Sequence, residues 1–456
     1  MVILVLACLA IVAVVGLFVL RSQSDVTAVL TVFLVALIAL NARWIFPGAG
    51  AIGTPAMVVA LLAAWWWCVA RTIPHSDIDR GPSPIRFTLL AYMWYLALSW
   101  GIARLGPLTE IEVNGSNTAL LLAFGMTGVA LLIMDGTSDQ SRLETLLRRV
   151  VIGGAAFSVV GILQFALGFD LVDLVSFPGL VRNDEAVQSI ALRSGLSRAE
   201  GTALHSIEYG VVLAMVLPLG IYFGIRSSDR RTRRLFGIMS AVIAAGIPLS
   251  ISRSGLLAAT AALLVGSLAW TWRQRLLGLI AAAGGMIAMG IVVPGLIGTF
   301  RALIFGAAED TSITARLDRI PLVEERFSQA PWLGSGVGTF SPVEDFILDN
   351  QYFGTLLDTG LIGLVVVSAL IVTAILCCLR VLRSAPDAGT RYLASAIMGG
   401  IIVLPISMAT FDSFFYRILM GLAFLLIGAA GALWRMVVRT GLGEPADHEM
   451  ALSTKA

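Results

Sequence analysis

A long polar interruption at residues 299–350 decides the architecture, because it separates two apolar runs in a chain that is otherwise mostly apolar. It contains TSITAR at 311–316, APWLGSGVG at 330–338 and DN at 349–350, and GLIG follows at 360–363. Connections between secondary-structure elements are usually much shorter, so a loop of this length is typical of a functional or partly folded segment. We expect it to cap a site at one membrane surface.

The composition is that of an integral membrane protein. The 456 residues are 58% hydrophobic and 13% charged, with a mean hydropathy of +0.90, whereas soluble domains carry about 25% charged residues. All four cysteines (Cys8, Cys68, Cys377 and Cys378) lie in apolar runs, and there are only three histidines. We therefore expect no structural disulfide, no zinc site and no histidine-rich metal centre.

Apolar stretches long enough to cross a bilayer predict an all-α, polytopic transmembrane helix bundle of about 12–13 spans with a large extracytoplasmic loop. We interpret residues 2–20 as a retained first span, since no basic residue precedes them as in a signal peptide. The other stretches lie at 25–45, 50–70, 87–104, 118–134, 148–168, 205–225, 234–251, 254–272, 275–297, 354–379, 391–410 and 414–434.

These spans divide the chain into six regions. They are N-terminal helices (1–168), an outer loop (169–204), central helices (205–298), a large extracytoplasmic loop (299–353), C-terminal helices (354–439) and a cytoplasmic tail (440–456). One set of loops holds 20 of the 31 basic residues and the opposite set 11. The more basic side is predicted to face the cytoplasm.

The outer arginines oppose this bias, so another requirement must keep them there. Three sequence-distant outer loops each supply arginine close to a span, which suggests one anion site. The guanidinium group suits a diphosphate because it makes paired, charge-assisted hydrogen bonds. The alternative is that each arginine pairs with a loop carboxylate such as Asp310, Asp318, Glu324 or Glu325. The clustered arginines are Arg193, Arg198, Arg253, Arg316, Arg319 and Arg326.

Within the large loop, residues 311–328 have apolar side chains spaced as on one helix face. Pro321 is expected to kink this helix, and Arg316 and Arg319 to share one side of it. A surface helix resting on lipid headgroups is the alternative. The turn formed by Gly334, Gly336 and Gly338 either brings backbone N–H groups to an anion or serves as structural punctuation.

Two further polar residues stand at span ends. His205 opens the seventh span and is more typical of an interfacial hydrogen-bonding group than of a base. Asp412 lies between the last two spans, where it faces Arg417 and could be a structural partner of it. The pair Asp77 and Asp79 resembles a metal-binding acidic motif but lies in a short cytoplasmic loop, so we do not assign it a metal.

Taken together, residues 190–435 resemble the bacterial O-antigen ligase/polymerase group, and the implied fold is similar to GT-C glycosyltransferases. The resemblance is carried by RAEGT (198–202) with His205, ISRSG (251–255), Arg316 with PWLGSG (331–336), and Asn350 followed after nine residues by GLIG (360–363). The ligase signature has histidine before the asparagine, whereas this chain has Asp349. That departure favours a polymerase over a lipopolysaccharide ligase.

The resemblance implies a glycosyltransferase of the inner membrane whose active site faces away from the cytoplasm. Its donor would be an undecaprenyl-diphosphate-linked glycan and its acceptor a glycan, lipid or protein, without cofactor, metal or nucleotide sugar. Arg198, Arg253, Arg316 and Arg319 would bind the diphosphate, and Asp349 or His205 would receive or steer the acceptor proton. The loop glycines named above would, with Asn350, Gly360 and Gly363, shape the surrounding structure.

Two other classes of protein remain as alternatives. A polysaccharide-lipid flippase or transporter would use the same arginines to attract an anionic substrate without catalysis. Such transporters often show internal repeats and broken helices in matching halves, and no such symmetry is visible in the sequence. An assembly scaffold would need no clustered outer arginines.

Overall fold

The computed structural model describes residues 26–40, 43–74, 76, 78–183, 192, 193, 196–293, 298, 319–341 and 348–439. The predicted first span (2–20), the predicted tail (440–456) and Arg316 lie outside these residues. The described chain is mainly α-helical. Its helices are α1 (Val26–Val35), α2 (Pro55–Thr72), α3 (Pro84–Ala103), α4 (Glu110–Gly136), α5 (Gln140–Leu167), α6 (Ser206–Arg226), α7 (Arg230–Leu249), α8 (Arg253–Gly266), α9 (Trp272–Val292), α10 (Ile320–Gln329), α11 (Gln351–Ser384), α12 (Ala388–Ile401), α13 (Val403–Thr410) and α14 (Arg417–Trp434).

Shorter elements complete the described chain. π-Helical segments follow α1 and α14 directly, and short 3-10 turns lie in three of the loops. β1 (Trp44–Ile45) pairs antiparallel with β2 (Val181–Arg182), and β3 (Leu192–Arg193) pairs with β4 (Leu196–Ser197). The first pair ties the loop after α1 to the loop after α5. The π-helices are Ala36–Leu40 and Arg435–Arg439, and the 3-10 turns are Gly50–Ile52, Leu171–Leu174 and Ser413–Phe415.

The all-α, polytopic prediction is confirmed. Among the described residues, 10 helices are long and apolar enough to cross a membrane, with α12 and α13 counted as one, and two shorter apolar helices cover Val26–Leu40 and Arg253–Gly266. The predicted span at 254–272 is therefore too long. Helix α8 has 14 residues, about 21 Å at 1.5 Å per residue, because the chain turns at Ser267 before Thr271 caps α9.

Most of the spans begin at a residue that caps the helix. Its side-chain oxygen accepts a hydrogen bond from a backbone N–H of the first turn, which lipid cannot satisfy. The capping residues are Thr54, Ser83, Thr109, Asp139, Asp229, Ser252, Thr271, Asn350 and Asp387.

Helices α6 and α14 form the centre of the bundle, since both are buried along most of their length. Small residues let helices approach closely, as is typical of packing within a membrane. A side chain at Gly210 of α6 would meet Ser250 and the backbone of Gly255, and one at Gly428 of α14 would lie 2.5 Å from the carbonyl oxygen of Ala130. Helices α7 and α8 each pack mainly against α6 rather than against one another.

The polar residues collect at two opposite ends of the bundle. We call them the loop end, with described loop residues at 43–54, 168–183, 196–205, 250–252, 330–341, 348–350 and 411–416, and the arginine end, with described loop residues at 73, 74, 76, 78–83, 137–139, 227–229 and 385–387. At the arginine end, Asp135 is 1% exposed and accepts hydrogen bonds from Arg86 Nε at 3.0 Å and Trp67 Nε1 at 2.9 Å. That this end faces the cytoplasm stays a prediction.

Candidate functional site

Helix α11 is interrupted at Gly360, whose backbone is non-helical at φ 62° and ψ −170°. A break in a membrane helix frees backbone groups that must find other partners. Here the glycine-rich turn supplies them. The carbonyl of Pro331 accepts a hydrogen bond from Leu361 N at 2.9 Å, and Gly336 N donates one to the carbonyl of Asp358 at 2.8 Å. The turn and the interrupted helix are therefore one interlocked unit.

The glycines of this unit are required by close backbone contact. A Cβ at Gly360 would lie 2.3 Å from the carbonyl carbon and oxygen of Trp332, and one at Gly334 would lie 2.4 Å from the backbone of Asp358. Gly336 and Gly338 also have positive φ and pack against α3 and α4. Helix spacing brings Gly363 against Thr359, so no side chain fits there either.

A carboxylate of the protein itself occupies the glycine turn. The Asp358 carboxylate accepts hydrogen bonds from Gly338 N at 2.9 Å and Phe340 N at 2.8 Å. These backbone donors are the ones that a phosphate would need in this turn. The contacts therefore favour the structural interpretation of the glycine turn. Sequence reasoning missed Asp358, since nothing in its local pattern distinguishes it.

Immediately before α11, Asn350 and Asp349 have separate roles. Asn350 caps the helix, because its Oδ1 accepts hydrogen bonds from Tyr352 N at 3.0 Å and Phe353 N at 3.3 Å. Asp349 has a left-handed backbone conformation, with φ 51°. The signature asparagine thus fixes the helix start, and the residue before it projects its carboxylate away from that start.

Asp349 lies beside Arg319, with 3.6 Å between the Asp349 carboxylate and Arg319 Nη1. Both side chains are partly open to solvent, at 42% and 25% exposure. Arg319 immediately precedes α10 rather than lying inside a helix, and Pro321 occupies the first turn of α10. Pro321 thus begins α10 rather than kinking it, because proline favours the first turn, where no N–H is needed; residues 311–318 of the predicted helix lie outside the described residues. The predicted partner Arg316 lies outside the described residues.

A second group of predicted residues surrounds the short turn between α7 and α8. Arg198 is 7% exposed and donates from Nε to the carbonyl of Ser250 at 3.1 Å. Ile251 has a positive φ of 47°, and Ser252 caps α8. Arg253 is the first residue of that helix and is half-buried. The structure therefore brings Arg198 and Arg253 to the same turn.

A buried ion-pair network holds the segment that carries Arg198. Arg43 is 2% exposed and donates to the carbonyl of Ala203 at 2.9 Å, while its guanidinium contacts Asp170 and Glu200. Burial raises the pKa of Glu200 to about 7, an effect that Arg43 opposes. Arg43 was counted in the sequence only as a topology signal. Its partners are more than a hundred residues away, so no local pattern could reveal them.

His205 caps α6 and uses its Nδ1 to accept a hydrogen bond from Ile207 N at 3.0 Å. Burial, and then the nearby Arg198, lower the pKa of His205 to about 4. The ring is therefore neutral near pH 7, and because Nδ1 is an acceptor, its proton lies on Nε2. This tautomer suits His205 to donate a hydrogen bond rather than to accept the acceptor proton.

The turn at 411–416 links the two groups. The sequence suggests Arg417 as a partner of Asp412, but the structure does not pair them. The carboxylate oxygens of Asp412 instead accept hydrogen bonds from Asp349 N and Asn350 N. Burial raises the pKa of Asp412. The hydroxyl of Tyr416 is within electrostatic range of both Arg198 and Asp349.

On the other side of this turn, Glu208 is fully buried in the first turn of α6. Its carboxylate accepts hydrogen bonds from Ile418 N at 2.9 Å and Leu204 N at 3.1 Å. It therefore joins the start of α14 to the segment that contains His205. Glu208 was also missed in the sequence, where it looks like a single acid at a span end.

Comparison with known protein families finds a match in the second half of the chain. Residues 238–368 match the family model described as O-antigen ligase. The matched region begins within α7 and ends within α11, so it includes Arg253, Arg319, Asp349 and the interlocked glycine turn, but not Arg198 or His205. No match was found among curated proteins. The family match does not favour the transporter alternative.

Proposed function

We propose that this protein, whose residues 238–368 match the O-antigen ligase family model, is an inverting glycosyltransferase for undecaprenyl-diphosphate-linked oligosaccharide. It polymerises or transfers that glycan on the extracytoplasmic side of the inner membrane during cell-surface polysaccharide biosynthesis. Because Asp349 replaces the signature histidine, polymerisation onto a second lipid-linked glycan is the preferred reaction.

In the proposed reaction, the acceptor hydroxyl oxygen attacks C1 of the donor sugar from the face opposite the diphosphate. The bond between C1 and the diphosphate oxygen breaks, and undecaprenyl diphosphate leaves with the electron pair. The acceptor proton passes to the carboxylate of Asp349. Arg198, Arg253 and Arg319, with Arg316, hold the diphosphate and stabilise the negative charge that develops on the leaving oxygen.

His205 contributes as a donor in this scheme. Its Nε2–H is directed by the hydrogen bond that Nδ1 accepts from Ile207 N. A neutral imidazole donor can bind an oxygen of the diphosphate or of the sugar across the physiological pH range, because the pKa of His205 is lowered to about 4. The proton transfer itself is left to Asp349.

One observation carries the proposal: two predicted groups, Arg198 with Arg253 and Arg319 with Asp349, lie at the same end of the bundle and meet across the turn at 411–416. Tyr416 of that turn is electrostatically coupled to Arg198 and Asp349. Asp412 is likewise coupled to Arg319 and Asp349. Ionisable residues at membrane depth are costly, so they suggest a functional site by default.

The test uses the purified protein in nanodiscs with an undecaprenyl-diphosphate oligosaccharide as donor. We expect products with added repeat units when a second donor molecule is the acceptor. Products only with a lipid or protein acceptor would replace polymerisation by ligation. Folded wild-type protein that transfers glycan to none of these acceptors would overturn the proposal.

Arginine variants then locate the reaction. Loss of two charge-assisted hydrogen bonds in Arg253→Ala should lower transfer by about 100-fold or more. The same loss is expected for Arg316→Ala. The matched control is Arg142→Ala, since Arg142 is 55% exposed at the arginine end. Equal transfer by the Arg253 and Arg142 variants would exclude Arg253 from the site.

A further inference from the structure

The backbone of Asp349 is held in a conformation that few residues other than glycine adopt. Its φ of 51° belongs to the left-handed region, which costs a residue with a side chain about 1 kcal/mol or more. Such a conformation persists only where neighbouring groups enforce it. The groups in contact with the Asp349 backbone therefore determine where its carboxylate lies.

Asp412 is the enforcing group. Its two carboxylate oxygens accept hydrogen bonds from consecutive backbone donors, Asp349 N at 3.2 Å and Asn350 N at 3.0 Å. Two donors from neighbouring residues converge on one anion only when the backbone between them is bent, which the left-handed conformation achieves. Charge-assisted hydrogen bonds of this kind are stronger than those between neutral groups.

The segment that carries Asp412 is itself fixed from both sides. Gln351 Oε1 accepts a hydrogen bond from Phe414 N at 2.9 Å. This bond is a second link between helix α11 and the turn that carries Asp412. Farther along, Ile418 N donates to Glu208 at 2.9 Å. Asp412 thus belongs to a turn anchored both to the start of α11 and to the segment near His205.

We propose that Asp412 is a positioning residue for glycosyl transfer. It holds Asp349 beside Arg319 because it accepts hydrogen bonds from the backbone N–H groups of Asp349 and Asn350. This role rests on the proposed function. Asp412 acts through Asp349 and does not contact the reacting atoms. Loss of one acceptor oxygen allows the Asp349 backbone to relax and displaces its carboxylate.

The first test compares three variants in the transfer assay. Asp412→Asn keeps the shape but replaces one acceptor oxygen, so turnover should fall by about 10²-fold, as for a misplacement near 1 Å, with the donor KM unchanged. Ser413→Ala is the matched control, because Ser413 is buried next to Asp412 and its hydroxyl has no hydrogen-bond partner among the described residues. It should retain wild-type turnover.

Tyr352→Phe separates positioning from general stabilisation. It removes a 3.0 Å hydrogen bond between Tyr352 and the carbonyl of Pro405, another link between α11 and this region, without changing the donors at Asp349 and Asn350. We expect turnover within a factor of two of wild type. An equal loss in Tyr352→Phe and Asp412→Asn would overturn the positioning role.

A double-mutant cycle provides the decisive comparison. If Asp412 acts through Asp349, then Asp412→Asn should cause no further loss of turnover in an Asp349→Asn background. Multiplied losses would overturn the inference. Hydrogen–deuterium exchange of residues 348–352 should accelerate in Asp412→Asn and not in Ser413→Ala, and unchanged exchange would equally overturn it.

The outcomes distinguish this inference from the proposed function. Folded wild-type protein without transfer activity would remove both the function and the role of Asp412 in it. Active wild-type protein with a fully active Asp412→Asn variant would remove only the positioning role. A large fall in turnover confined to Asp412→Asn would support both.

Discussion

Replacing Gly360 by alanine should destabilise the protein strongly. The new Cβ would lie 2.3 Å from the carbonyl carbon and oxygen of Trp332, and φ 62° with ψ −170° is a conformation essentially restricted to glycine. The conformation alone costs about 1–3 kcal/mol. Relief of the clash requires the backbones to separate.

Separating the two backbones breaks the hydrogen bonds made by the backbone groups that the interruption at Gly360 leaves free. The hydrogen bonds from Leu361 N to Pro331 O and from Ile362 N to Trp332 O are 2.9 and 3.3 Å long, and each buried bond lost costs about 1 kcal/mol or more. The sum is on the order of 3–5 kcal/mol, a large part of the roughly 5–15 kcal/mol that stabilises a typical domain. We expect Gly360→Ala to lower Tm by about 5–10 °C.

The assay is thermal unfolding of the detergent-purified protein, followed by size-exclusion chromatography with fluorescence detection. Gly284→Ala is the matched control, because nothing lies within 4 Å of a Cβ at Gly284 and alanine favours a helix interior by about 1 kcal/mol. Its Tm should be unchanged or slightly higher. If both variants melt within 2 °C of the wild type, about 1 kcal/mol, the argument for the interlocked backbone is refuted.

Three further predictions concern single charged residues. Asp135→Asn leaves Arg86 with Asp79, which also contacts Arg435 and Arg439, and the loss of this buried partner should cost about 3 kcal/mol. The exposed Asp139→Asn should change stability by less than about 1 kcal/mol, and equal Tm values for the two variants would contradict this. The pKa of Glu200 is raised from 4.5 to about 7, so its contribution to stability is complete below pH 4.5 and is lost as the pH rises through 7. Tm measured from pH 5 to 8 should therefore fall less steeply in Glu200→Gln than in wild type. Parallel curves of Tm against pH would exclude Glu200 as the cause. Arg319→Ala should raise the donor KM by about 10-fold or more, since charge-assisted bonds contribute about 1.5–3 kcal/mol each; an unchanged KM would place Arg319 outside the donor site.

Hydropathy predicted the helices well, because a backbone in lipid must form its hydrogen bonds within its own segment. The predicted span at 391–410 corresponds to α12 and α13, which together cover Ala388–Thr410. The interruption at Gly360 was not predicted, because a glycine within an apolar run is compatible with either a continuous or a broken helix. The contacts that the turn at 331–336 makes with α11 show that this helix is broken.

The residue types of the candidate site were predictable from the sequence, but the hydrogen bonds that connect its residues were not. The sequence identified Arg198 and Arg253 because these arginines oppose the predicted charge bias, and Asp349 because it stands where the ligase signature has histidine. The carboxylates that organise them, Asp412 and Glu208, accept hydrogen bonds from backbone groups 62–63 and 210 residues away in sequence. Contacts over such separations depend on how the helices pack, which periodicity along the chain does not encode.

The interruption of α11 also implies an order of assembly during synthesis. The groups that receive its freed backbone lie earlier in the chain: Pro331 and Trp332 accept from it, and Tyr95 of α3 donates to the carbonyl of Thr359. When the ribosome releases residue 361, these partners have already been made. The peptide groups freed at Gly360 can therefore find their partners without waiting for later parts of the chain to be synthesised.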